Sequence, residues 1–511
     1  MNLIALPVLL PLLAASLLLL VKTPRARRVL AFAASLLTLS VSVLIALRTF
    51  SGEVLVVQMA GWSAPWGISL VADRLTGILL LLSGIVGLLS SAFMGSSLRH
   101  APRHGASAAL NLERERLGAQ ALLQFLVMGV NMAFLTGDLF NLFVAFEVML
   151  ISSYGLMLLG NELAQLREGF KYVVVNLLAS ALFVMSAGFA YGLFGTLNMA
   201  DIALRVAAHG PDGRITLVAG LLALVFAVKA ALFPLGFWLP NSYPAPAAAA
   251  SAFFAALLTK VGVYSLIRAF TLMFPQEAGL QSLLLALAGL SVLFGSLGMI
   301  ALQRWRHAFA FANIASIGYL AMGAFSGSAA GLGAGLYYLI HSVLVIFALF
   351  LVAALAEKIA GEMYRDEGHL ALYPWLGVAY FALALAVVGL PPTSGFIGKY
   401  SVLAALLAEP TPLRTAVAAC AVLGSLLLLY GAMQIWRGFF WGESDAVHRV
   451  RLPTGMRLCT AVAVGLVVAL ALWSGPVYAL ASRTALDLQG NRAYTEAVLP
   501  SAPPPQEPRA P

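Results

Sequence analysis

The sequence predicts an all-α polytopic membrane protein of about 14 transmembrane helices, arranged as two inverted five-helix repeats with helices 7 and 12 broken. Three observations lead there. The 511 residues are 61% hydrophobic and 10% charged, whereas a soluble domain carries roughly 25% charged residues. Apolar stretches near the ~20 residues needed to cross a bilayer recur along the chain. Two of them are interrupted, one by Pro234, Gly236 and Pro240, the other by Pro391 and Pro392. A proline removes a backbone donor and clashes with the preceding turn, so each stretch breaks there.

The expected spans lie near residues 2–21, 28–47, 73–95, 117–136, 138–159, 170–194, 215–240, 246–270, 279–302, 306–326, 330–355, 374–408, 413–436 and 457–481. No small-residue cleavage site follows the first, which therefore reads as a retained span. Gly137-Asp138 makes a tight turn between the fourth and fifth. The twelfth is too long for one straight helix and contains Gly389-Leu390-Pro391-Pro392. The chain divides into helices 1–3 with a basic loop (1–116), a first repeat (117–270), a second repeat (278–440) and a loop with the last helix (441–483). The tail (484–511) ends SAPPPQEPRAP, whose proline and polar content predicts disorder.

An internal repeat supports a transporter. Sliding the chain by 159 residues lays the seventh span on the twelfth, matching Ala227 to Ala386, Val228 to Val387, Gly236 to Gly395 and Phe237 to Phe396. The same shift lays the fourth on the ninth and the sixth on the eleventh. A unit with an odd number of spans must invert between copies. Paired broken helices in inverted repeats mark the substrate pathway of many transporters.

The net charge of +9 comes from loops. Basic residues gather after odd-numbered spans, among them Arg25, Arg27, Arg28, Arg114, Arg304, Arg306, Arg365, Arg449 and Arg451. Those loops should face the cytoplasm of a bacterial plasma membrane, with both termini outside. The basic excess is thus a topology signal rather than a nucleic-acid patch. Cys420 and Cys459 form no disulfide or metal pattern. No Walker loop, dinucleotide fingerprint, metal spacing or nucleophile elbow is present, so no cofactor, metal or enzymatic chemistry is expected. Trp62, Trp66, Trp305, Trp375, Trp436 and Trp441 fall near span ends, as an interfacial belt would.

Against this apolar background, Glu147, Lys229, Lys260, His341 and Lys399 lie deep in spans. A lysine at the bilayer centre costs roughly 2.5–3.5 kcal/mol, so such residues usually face a polar pathway or a partner. Desolvation weakens the charged forms of lysine and glutamate, and histidine titrates near neutrality, which together is the chemistry of a proton relay. Each group has a second reading. Glu147 as a static counter-ion of Lys229, His341 as a core histidine bonded to a carbonyl, and the lysines as snorkelling side chains would make an inert membrane scaffold.

The run KAALFPLGFWLPNSYPAPAAAASAFFAALLTKVGVYSLIR resembles the signature of the antiporter-like subunits shared by respiratory complex I, membrane-bound hydrogenases and Mrp-type sodium/proton antiporters. GDLFNLFVAFEVMLISSYGL around Glu147, YYLIHSVLVIFALFLVAA around His341 and GLPPTSGFIGKY around Lys399 fit the same family. The resemblance covers roughly residues 70–440. Asn241-Ser242-Tyr243, where many complex I relatives have Asp-Ala-His, points to the D-type subunits of the Mrp branch, as does FNLFVAFEV.

The resemblance implies a switching pair of Glu147 and Lys229, a connection through Lys260 and His341, and a terminal proton site at Lys399. It also implies other antiporter subunits as partners in a hetero-oligomeric complex. Some relatives carry glutamate where Lys399 stands, and no second deep carboxylate assists Glu147. Hard cations want several oxygens, so this chain is expected to carry protons, with sodium handled in another subunit. The runner-up is a proton-pumping subunit of complex I or a membrane-bound hydrogenase.

Overall fold

The computed structural model describes residues 3–99, 113–160, 163–361, 368–441 and 450–499. Apolar sequence and internally satisfied backbones give helices nearly throughout, as a bilayer requires. The first half contains α1 (Leu6–Leu20), α2 (Pro24–Phe50), α3 (Arg74–Arg99), α4 (Ala119–Leu135), α5 (Leu139–Leu158), α6 (Leu163–Phe194), α7 (Met199–His209), α8 (Gly213–Ala230) and α9 (Ala248–Met273). The second contains α10 (Ala278–Ala301), α11 (Trp305–Ala324), α12 (Ala329–Ala360), α13 (Pro374–Val388), α14 (Ser394–Ala408), α15 (Pro412–Ile435) and α16 (Thr454–Leu472). Two further helices, α17 (Ser474–Gly490) and α18 (Arg492–Val498), follow. Among the described residues, eleven helices are long and apolar enough to cross a membrane, with α4, α13 and α14 as shorter apolar ones.

Both breaks occur where the prolines place them. The helix before Pro234 ends at Ala230, and Ala231 turns the chain with a left-handed φ of 59°. A short helix, Leu239–Ser242, precedes α9. Gly389 ends α13 with a φ of 84°, and Thr393 starts α14 by accepting a hydrogen bond from the Phe396 N–H.

α9 and α12 form the centre: the apolar window of each is buried along its whole length. The other long helices keep one face inward and leave large apolar side chains such as Leu178, Phe189, Leu297 and Leu426 outward, as lipid contact demands.

One end of the bundle holds elements the apolar pattern did not announce. A hairpin pairs β1 (Leu55–Gln58) with β2 (Ser69–Ala72) in antiparallel register, Leu55 opposite Ala72. The amphipathic α7 lies at the same end, joined through a bridge between Asp138 and Asn198. Asp138 also caps α5, accepting from the Asn141 N–H.

Residues 484–498, expected to be a disordered tail, are helical instead. Ala481, Thr484, Ala485 and Leu488 repeat at helical spacing and are buried, with Ser482 close to Gly333 of α12. Tyr494 and Val498 are buried as well. The proline-rich end of the chain masked this pattern in the composition. Residues 500–511 lie outside the described residues, as do Arg103, Arg365 and Arg449 of the expected basic loops. A second correction concerns Trp305, which is no interfacial anchor. Its ring is fully buried, 4.8 Å from that of Phe439 at a near-perpendicular angle. Trp62, Trp66 and Trp441 are exposed at the surface.

Candidate functional site

The five ionisable residues sit on five helices. α5 carries Glu147, α8 carries Lys229, α9 carries Lys260, α12 carries His341 and α14 carries Lys399. The three lysines and the histidine are buried, none more than 4% exposed.

Lys229 lies in the last turn of α8, just before the break. That end of a helix concentrates unpaired carbonyls and favours a cation. Its ammonium does not contact Glu147. It donates to the Asn176 carbonyl (3.2 Å) and to the Ser180 hydroxyl (3.1 Å) of α6. It also stands 5.6 Å from the centre of the Phe146 ring, the residue before Glu147. Phe146, Phe183 and Phe226 pack together there, with Phe183 and Phe226 edge to face at 5.2 Å. The buried Oε1 of Glu147 has no hydrogen-bond partner among the described residues. In this structure Lys229 thus bonds to α6 and not to Glu147.

Lys260 donates to the Ala255 carbonyl (3.1 Å) and to Asn313 Oδ1 of α11 (2.5 Å). A π-helical stretch, Phe254–Leu258, precedes it. Such a stretch disturbs the i to i−4 ladder, and the carbonyl that Lys260 reaches belongs to it.

His341 binds a hydroxyl rather than a backbone carbonyl. Its Nδ1 lies 2.9 Å from Ser394 Oγ at the start of α14, and its ring rests against Tyr338 at 5.2 Å. Lys399 turns inward across the second break, donating to the carbonyls of Val387 (2.8 Å) and Val388 (2.9 Å) and to Ser425 Oγ (3.2 Å). These are the last carbonyls of α13, again a helix C-terminus holding a cation. The contact requires Gly389, since a β-carbon there would stand 2.8 Å from Lys399 Cδ. Tyr319 covers the ammonium with its ring at 4.2 Å.

The sequence reading missed the partners. Asn176 and Ser180 are one turn apart on α6, and Asn313, Ser316 and Tyr319 follow at three-residue spacing on α11. Polar residues at helical spacing within apolar helices were the available signal. The hydroxyl of Ser316 lies 3.0 Å from Ser342 Oγ and 3.3 Å from Tyr338 Oη on the helix of His341.

A helical bundle with two broken helices has counterparts among known proteins. The family described as NADH:quinone oxidoreductase/Mrp antiporter, transmembrane, matches residues 136–424, which include all five ionisable residues. The chain belongs to this family. The D-type subunit of the Na(+)/H(+) antiporter of Bacillus subtilis (strain 168) is 37% identical over 507 residues, covering 98% of this chain and 99% of that one. A chain of the Mrp complex from Dietzia sp. DQ12-45-1b superposes with a TM-score of 0.86 at 28% identity, covering 97% of this chain and 99% of the other. A chain of respiratory complex I from Thermus thermophilus follows at 0.79 and 26%, covering 95% and 100%. As a member of the family, this chain is a multi-pass membrane protein.

Proposed function

We propose that the chain is the proton-translocating subunit of a multisubunit Na+/H+ antiporter of the Mrp type, a transporter component rather than an enzyme. Its partners are the other subunits of that complex, which supply the sodium path. The observation that carries this reading is the set of ionisable residues from half-buried Glu147 to the buried Lys229, Lys260, His341 and Lys399, in a chain similar over nearly its full length to the D-type component of a sodium/proton antiporter.

Glu147 and Lys229 act as the switch. Opposite charges in a low-dielectric site hold each other ionised, and their separation lets an ammonium release its proton. The separated arrangement supports this role because each group has somewhere else to be. Lys229 rests on Asn176 and Ser180, while Glu147 keeps an oxygen ready to accept. The proton then passes towards Lys260 and His341 and leaves by Lys399.

The two breaks belong to two inverted five-helix repeats. Support comes from the 159-residue offset and from a lysine ammonium at the C-terminal end of each first half, that of Lys229 from the same helix and that of Lys399 reaching back from α14. In the plasma membrane, the hairpin end faces outward. The first and last described segments both gather there, with Gln58 of β1 donating to the Val498 carbonyl, and the basic loops occupy the other side. A reporter fused after Arg451 is then cytoplasmic and one at the C-terminal tail external.

The deciding experiment measures sodium-dependent proton flux in everted vesicles that contain the whole complex. Neutralising Lys229 or Glu147 abolishes flux while the complex still assembles. Flux that persists in both variants returns the buried charges to a scaffold role. The complex I chain has the same fold, so the second reading is a redox-driven proton pump. The proteins that co-purify with the chain separate the two readings.

A further inference from the structure

One helix touches three of the five sites without contributing an ionisable residue of its own to the row. On α11, Asn313 accepts from Lys260, Ser316 meets the helix of His341, and Tyr319 covers Lys399. Residues three apart on a helix are neighbours on its surface, so the three side chains form one stripe two turns long. All three are buried, at 0%, 5% and 1% exposure. The stripe is tied at its far end too, because the Tyr319 hydroxyl lies 2.7 Å from Ser425 Oγ, itself an acceptor for Lys399. It also donates to the Ala421 carbonyl of α15.

We infer that Asn313 and Tyr319 are positioning residues for proton transfer, holding the ammonium groups of Lys260 and Lys399 against one rigid helix. The inference rests on the proton-relay reading above and adds residues that reading does not assign. A hydrogen bond from an ammonium to an amide oxygen fixes direction without neutralising the charge, as a carboxylate would. The face of an aromatic ring does the same through its quadrupole. Both holds are strong enough to orient a lysine and weak enough to release it. Asn313 also keeps its Nδ2 buried and without a partner among the described residues. The bond from the Lys260 ammonium to Oδ1 offsets the cost of leaving that donor unpaired. Ser316 lies between the two, joining α11 to the helix of His341. The two halves of the relay are thereby set relative to each other by a single element.

The test uses the complete antiporter complex in everted vesicles, with turnover expressed per assembled complex. Asn313→Leu removes the acceptor at similar size, and Asn313→Ser restores an oxygen on the same face. Tyr319→Leu removes the ring, while Tyr319→Phe keeps it and removes only the hydroxyl. Turnover is expected to fall about tenfold or more in both leucine variants, the scale of a lost interaction with a charged group. Asn313→Ser recovers part of it, Tyr319→Phe loses less than Tyr319→Leu because the ring over Lys399 remains, and the sodium KM is unchanged throughout. A purely structural role lowers the amount of complex and leaves turnover per complex intact, which overturns the inference. So does equal loss in Tyr319→Phe and Tyr319→Leu. If a leucine variant fails to assemble, Asn313→Ala and Tyr319→Met replace it, with the same expectations. Lys260→Ala and Lys399→Ala serve as controls. If these retain flux, the relay reading itself falls; if they abolish it while the α11 variants do not, only the present inference falls.

Discussion

Gly262 of α9 lies directly against the backbone of Lys229. A β-carbon at Gly262 would stand 2.6 Å from the Lys229 carbonyl carbon and 2.4 Å from the Ala230 amide nitrogen. The helix that carries Lys260 therefore crosses the end of α8 with no room for a side chain between the two backbones. Small residues at helix crossings permit this in membranes. Here the crossing sets the distance between Lys229 and Lys260.

This contact makes Gly262→Ala a test of geometry rather than of charge. The added methyl forces backbone apart, costing about 1–3 kcal/mol as overpacking does elsewhere. Proton flux is expected to fall severalfold while all five ionisable residues remain. Flux per complex equal to wild type would show that the spacing of Lys229 and Lys260 is not critical.

The separated Glu147 and Lys229 give a four-variant test. Glu147→Gln is expected to stop flux although size and hydrogen bonding are nearly kept, and Glu147→Asp to retain part of it with the charge on a shorter arm. A static counter-ion predicts lost assembly in each single variant and recovery of both assembly and flux when Glu147→Gln and Lys229→Met are combined. A fully active double variant would sink the switch.

Lys399→Ala is expected to abolish proton-coupled transport while the protein still inserts. Removing a buried charge aids insertion rather than hindering it, so the loss is assigned to transport. The check is flux beside the amount of assembled complex; wild-type flux would place the terminal site elsewhere.

At the hairpin end, the Arg268 guanidinium clasps Asp73 through two hydrogen bonds of 2.8 and 3.0 Å. The rings of Tyr264 and Tyr494 lie 5.4 and 5.0 Å from it. Burial pushes the Asp73 carboxyl up, but the Arg268 charge and hydrogen bonds and the Thr76 N–H outweigh it, holding it below the ordinary 3.8. A depressed carboxylate contributes stability that is present above its unfolded value and lost as pH falls through the folded one. The cluster should therefore hold unchanged at neutral pH and fail only below about pH 4. Asp73→Asn leaves Arg268 buried and unpaired, at a cost of about 3–5 kcal/mol. The expected signs are a lower melting temperature at neutral pH and protease access to α17 and α18. An unchanged melting temperature would show the pair to be dispensable.

Reading the residues in order is enough to show that this chain crosses a membrane many times and where two helices break. Both follow from local chemistry, the apolar length of each stretch and the clustered prolines and glycines around Pro234 and Pro391, which disfavour a continuous helix. Glu147, Lys229, Lys260, His341 and Lys399 stand out in the same way, because an ionisable residue in an apolar run is legible without knowing its neighbours. What those residues touch is a matter of packing between distant helices. Asn176, Ser180, Asn313, Ser425 and Tyr319 are common residue types that gain meaning from the lysine opposite them on another helix. The docking of Tyr494 onto Arg268 hangs on the same long-range placement. So does the state of Glu147 and Lys229. Two opposite charges on separate helices are written in the sequence, but their separation comes from the packing that offers Lys229 another carbonyl and another hydroxyl.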